Sequence, residues 1–142
     1  MQAEKCVAAP DGFGALARDH FTHPRNRGSL RAETGGIVRS GEAGSVAAGA
    51  FVRFHLRITD GRIAAARYEV MGEPALIAAA SYLSELLSGH PAESGAIPAG
   101  LTLAETLDLP RAEHGAALLA EDAVRACFES RENRNIANPE EI

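Results

Sequence analysis

Two hydrophobic periods divide the chain. Between residues 51 and 58 the apolar side chains Phe51, Val52, Phe54, Leu56 and Ile58 alternate with Arg53, His55 and Arg57. That is the two-residue period of a strand with one buried face, and it places His55 on the solvent side. Asp60-Gly61 follows as a type I′ hairpin signal. Ile63 to Met71 then reads as the return strand, with Ala65, Arg67 and Glu69 opposed to Ala64, Ala66, Tyr68 and Val70. At Gly72-Glu73-Pro74 the period changes to 3.6. Residues 74–88 form an apolar helix with proline in its first turn, closed by Gly89.

The flanking regions are weaker in pattern. Phe13, Leu16, Ala17 and His20-Phe21 recur at helical spacing between Gly12 and His23, with Asp11 as N-cap, until Pro24 forbids a further helical residue before it. Asn26 and Gly28 punctuate a turn-rich stretch. Residues 34–50 hold five glycines, which predicts a loop or an irregular first strand. Residues 89–100 read as a loop, Thr102 as the cap of a short helix over 103–107, and Leu109-Pro110 as a break. Residues 112–130 read as a last helix with Leu118, Leu119, Val124 and Phe128 as its stripe. Residues 1–12 form an N-terminal arm, 13–130 the domain and 131–142 a polar tail. The expected class is α+β: a small antiparallel sheet of about three strands with helices on one face.

Composition narrows the function. At 142 residues, 46% hydrophobic and 23% charged, the chain can bury a core without metal or disulfides. The net charge of −5 reads as a mildly acidic, unpatterned surface, which argues against a nucleic-acid partner. Cys6 and Cys127 lie far apart and outside any zinc spacing, as expected for two unrelated thiols in a reducing compartment. No apolar run spans a membrane and no signal-peptide pattern opens the chain, so a soluble cytoplasmic protein is expected.

Catalytic motifs are absent: no GxGxxG, P-loop, GxSxG or HExxH occurs. His20 and His23 have a spacing that metals use and that helix ends also show. His90 follows a helix-ending glycine. Glu73 stands at a strand-to-helix junction, where a carboxylate caps the helix or serves a site. Glu113-His114 precedes the last helix and offers ligands to a borderline metal such as zinc or iron. The candidate metal set is therefore Glu73, Glu113 and His114.

Three segments in order carry a resemblance: HFTHPRNRGSL at 20–30, GAFVRFHLRITDGRIAAARYEVMG at 49–72 and LLAEDAVRA at 118–126, with LTLAETLDLP at 101–110 between the last two. Over residues 13–130 the chain resembles the U-type iron–sulfur cluster assembly scaffolds, the IscU family and the N-terminal domain of NifU. The resemblance implies that fold and a site of three cysteines and an aspartate holding a nascent 2Fe–2S cluster or zinc. It pairs the first cysteine and the aspartate with Ala48 and Ala50, the second cysteine with Glu73, and a histidine–cysteine pair with Gly115 and Ala116. None of these residues is a thiol, and clusters need thiolates. The family's chaperone-binding motif survives as Leu109-Pro110 but continues Arg111-Ala112-Glu113, with an acid in place of a lysine.

Three readings remain. The first is a scaffold-like, non-enzymatic accessory protein of cluster assembly with a degenerate ligand site and a protein partner, for which the resemblance implies a cysteine desulfurase. The second is a zinc, iron or manganese protein with a rebuilt Glu/His site. The third is a structural subunit of a redox complex.

Overall fold

The computed structural model describes residues 12–31 and 36–129. Helix α1 (Ala15–Thr22) is followed by strands β1 (Ile37–Ser45), β2 (Ala50–Thr59) and β3 (Arg62–Met71). Helices α2 (Pro74–Leu87), α3 (Gly100–Thr106) and α4 (His114–Glu129) complete the domain, with 3-10 turns at Ser94–Ala96 and Arg111–Glu113. The strands form one antiparallel sheet in the order β1-β2-β3. This is the expected α+β architecture.

The β2–β3 hairpin follows its sequence signal. Asp60 (φ 54°) and Gly61 (φ 76°) both take the positive φ that a two-residue type I′ turn demands. One irregularity was not legible. Arg57 pairs with Ala65 and Ile58 with Ile63, leaving Ala64 as a bulge. The bulge resets the alternation, so Ile63 and Ala66 both turn inward and are buried.

Of the loop or irregular strand expected, β1 is the irregular strand: it is continuously paired, but Gly44 within it takes φ 82°. Its nine residues pair continuously with β2 from Ile37↔Ile58 to Ser45↔Ala50. The glycines serve a close approach. A Cβ on Gly41 would strike the Cys127 amide nitrogen and lie 2.6 Å from the Ala123 carbonyl oxygen, so α4 rests on the strand's own backbone.

Val52, Phe54 and Leu56 on β2 meet Ala66 and Tyr68 on β3 in the core. Helix α2 packs against β3 and α4, α4 against β1 and β2, and α1 against α2. Ala75, Ala78, Ala79 and Ala80 give α2 a flat buried surface. On α4 the buried stripe is Ala117, Ala120, Ala123, Val124 and Cys127. That differs from the expected stripe: Leu118 is exposed, while Leu119 and Phe128 lie at its margins. The small residues face the sheet because the helix stands so close to it. The expected N-cap Asp11 lies outside the described residues; α1 begins after Gly14 with no side-chain cap.

Candidate functional site

The β1–β2 connection, the β3–α2 junction and the first turn of α4 converge on a pocket of about 260 Å³. Its wall contains Ala48, Gly49 and Ala50 from the first, Glu73 and Leu76 from the second, and Gly115, Ala116 and Leu119 from the third. Ala112 and Glu113, in the 3-10 turn before α4, complete it. Every position that the resemblance paired with a cluster ligand faces this one space, and none supplies a thiol.

Glu73 occupies the N-cap position of α2, but its side chain makes no capping hydrogen bond. The cap is made by its backbone: the Glu73 carbonyl accepts from the amides of Leu76 (2.9 Å) and Ile77 (3.2 Å). The carboxylate is left to the pocket, where it meets Glu113. Burial pushes the Glu113 carboxyl above its ordinary value, and the charge of Glu73 and a hydrogen bond to it push in the same direction. A protonated Glu113 donates to Glu73; two ionised groups repel. Nothing in the linear order hints at this pairing, because some forty positions separate the two residues.

His114 does not join them. Its Nε2 donates to the Leu109 carbonyl at 3.1 Å, tying the start of α4 to the Leu-Pro break. Among the described residues no group of three His, Cys, Asp or Glu side chains is placed to hold a metal. His20 and His23 also diverge. His20 is buried, with Nδ1 2.7 Å from Ser81 Oγ and Nε2 3.5 Å from Glu85, and burial together with the Arg25 charge lowers its pKa. His23 is exposed beside Asp19. Cys127 is buried under the sheet, its Sγ 3.6 Å from the Phe54 carbonyl. Cys6 lies outside the described residues.

Two further side chains depart from expectation. His55 is on the outer face of the sheet yet 9% exposed. Ser40 Oγ lies 2.7 Å from its Nδ1 and Glu69 Oε1 2.9 Å from its Nε2, so neighbours on both strands cover it. Glu121, inside the LLAEDAVRA run, accepts from the Gly100 amide at 2.7 Å and so caps α3 from α4.

A three-stranded antiparallel sheet backed by helices, with a pocket at the strand ends, defines a small α+β domain. The NifU-like N terminal domain family matches residues 15–138, and the chain belongs to that family. It is similar to the scaffold protein IscU of Buchnera aphidicola, 31% identical over 125 residues covering 87% of this chain and 98% of that one. The iron sulfur cluster assembly protein 1 of Candida glabrata is 32% identical over 118 residues, covering 82% and 55%. The bifunctional protein NifU/MnmA of Rubrobacter xylanophilus is 40% identical over 124 residues, covering 84% and 24%. The chain therefore spans about half of the Candida relative and a quarter of the Rubrobacter one. Among solved structures, the NifU-like N-terminal protein of Brucella abortus superposes with a TM-score of 0.62 at 20% identity, over 85% of this chain and 94% of that one. At that identity the likeness shows the fold alone.

Proposed function

We propose that this protein is a scaffold-like accessory or regulatory component of iron–sulfur cluster assembly, non-enzymatic, that binds a protein partner and carries no cluster on thiolates of its own. One observation supports this reading. All the positions corresponding to family ligands meet in one pocket, and that pocket offers alanine, glycine and two carboxylates where a cluster needs sulfur. Docking depends on shape and surface, which the retained fold preserves. A cysteine desulfurase is the partner this reading favours, because the family resemblance implies docking on one.

The test is anaerobic reconstitution with ferrous iron and sulfide, followed by desalting and metal and sulfide analysis. The expected product is colourless and free of sulfide. A cluster band near roughly 400–450 nm, the thiolate-to-iron charge-transfer region, that survives desalting would overturn the reading. Gel filtration of the protein with a purified desulfurase tests the partner; separate elution at micromolar concentrations removes it.

The rebuilt-metal reading rests on the Glu73–Glu113 pair alone. Two oxygen donors suit a divalent ion better than a cluster, and Glu73→Ala tests it: metal occupancy unchanged from wild type excludes Glu73.

A further inference from the structure

Charge is segregated along this chain, contrary to the unpatterned surface expected from its net value. Residues 12–67 hold nine arginines against four acids, whereas residues 68–142 hold four arginines against thirteen acids. The fold converts this asymmetry into geometry. The acidic half builds most of the helical layer, and the basic half builds α1, the segment after it and most of the sheet.

The helices cover one face of the sheet. On the other, the register sets Arg57 across from Ala65 and Arg67 across from His55. Arg57 Nη2 donates to the carbonyl of Arg31 at 3.0 Å. Arg67 Nη1 donates to the carbonyl of Ala66 at 2.9 Å and to Asn26 Oδ1 at 3.4 Å. These bonds hold the 26–31 segment beside the sheet, and Arg27 and Arg31 stand exposed on it. The carboxylates of this face are drawn elsewhere: Glu42 and Glu69 lie 2.7 and 3.7 Å from Arg53. Among the described residues Arg27, Arg31 and Arg67 form no ion pair.

We propose that this arginine-bearing end of the sheet docks a carboxylate-rich segment of a partner protein. Guanidinium groups match carboxylates bidentately, and uncompensated arginines on a net-acidic protein mark where opposite charge is met. A long polyanion fits less well. Asp60 stands at the hairpin turn three positions after Arg57, and the chain's overall charge repels an extended phosphate backbone. The surface is distinct from the pocket: seven residues of strand, about 23 Å, separate Arg57 from Ala50. Its test is therefore independent of cluster reconstitution.

The experiment measures fluorescence anisotropy of a labelled octaglutamate peptide and, separately, of a labelled oligouridylate, at low and moderate salt. The peptide binds wild type, and its affinity falls as salt rises. Arg27→Glu with Arg31→Glu weakens it about tenfold. Arg27→Lys with Arg31→Lys, which keeps the charge but loses the bidentate fork, weakens it less, by about two- to threefold. Arg18→Glu with Arg111→Glu, the same charge change on other exposed residues, leaves it within about twofold, as distant charges should. The proposal fails if that control weakens binding as much as the patch variant, if the patch variant binds as wild type does, or if the oligouridylate binds more tightly than the peptide. Circular dichroism melts of each variant separate lost binding from lost folding.

Discussion

The contact between α4 and β1 makes Gly41→Ala the sharpest test of this structure. The substitution is mild in every respect except one. Gly41 does not occupy the left-handed region, so alanine there restricts the unfolded chain and would ordinarily stabilise by about 0.4–1 kcal/mol. The added methyl group, however, meets backbone: the Cys127 nitrogen most closely, with the Ala123 oxygen and the Ala126 carbonyl carbon at 2.6 Å. Backbone cannot rotate away as a side chain can. Ordinary carbon contacts begin near 3.4–4 Å, so the helix must retreat by roughly 1 Å, and such a gap forfeits a quarter to a half of each dispersion contact it opens. Ala117, Ala120, Ala123, Val124 and Cys127 all lie on the face that retreats.

Overpacking of this kind costs about 1–3 kcal/mol, which corresponds to a fall in Tm of about 3–12 °C for a domain of this size. Thermal melts by circular dichroism and urea titrations measure it, with the m-value unchanged if the native state stays compact. A Gly41→Ala protein as stable as wild type, or more stable, would refute the close approach. It would also leave the small-residue face of α4 without a cause.

The remaining predictions concern the pocket. Gly115 lies in the first turn of α4, with nothing within 4 Å of a built Cβ, so Gly115→Ala should raise stability by about 0.5–1 kcal/mol; a loss would mean that the space is not open. Restoring the family's chemistry with Ala48→Cys, Ala50→Asp, Glu73→Cys and Ala116→Cys together should confer the roughly 400–450 nm band on reconstitution. A quadruple variant that folds and stays colourless would show that these positions do not converge on one metal site. The raised pKa of Glu113 has a definite sign. The folded chain holds a proton that the unfolded chain has already released, so this group's stabilisation is complete at low pH and is lost as pH rises through the raised value. Glu113→Gln keeps a hydrogen-bond donor toward Glu73 without the charge, and should raise Tm at pH 7 by about 1–3 °C while flattening that decline. An unchanged Tm difference between pH 5 and pH 7 would mean the two carboxyl groups do not interact.

The parts of the fold that were legible are those where one local rule acts alone. The Asp60-Gly61 turn and the proline-led α2 follow directly from φ preferences and periodicity. The length of β1 was not legible, because Gly41 and Gly44 read locally as loop residues; a positive φ against the Ala50 carbonyl explains Gly44, and α4, some eighty positions later, explains Gly41. The same contact hid the true stripe of α4: large side chains normally mark a buried face, but here the spacing admits only small ones. His55 misled because alternation assigns a face and says nothing of lateral neighbours; Ser40 and Glu69 cover it from adjoining strands. In the site, family resemblance located the wall of the pocket, while the Glu73–Glu113 encounter needed three dimensions. The charge asymmetry lay in plain view and was averaged away by the net value.

The positions where this chain departs from the family's ligand pattern are all at the ends of elements. Ala48 lies in the β1–β2 turn, Ala50 is the first residue of β2, Glu73 the N-cap of α2, and Gly115 and Ala116 open α4. None belongs to the buried core that Phe54, Leu56, Tyr68, Leu76 and Leu83 build with the alanines of α2 and α4. Of these positions Ala50 and Ala116 pack against that core, but only from its margin. What such a domain carries is decided by the side chains that line its pocket, and here those are two carboxylates and apolar groups from alanine to leucine, with no sulfur among them.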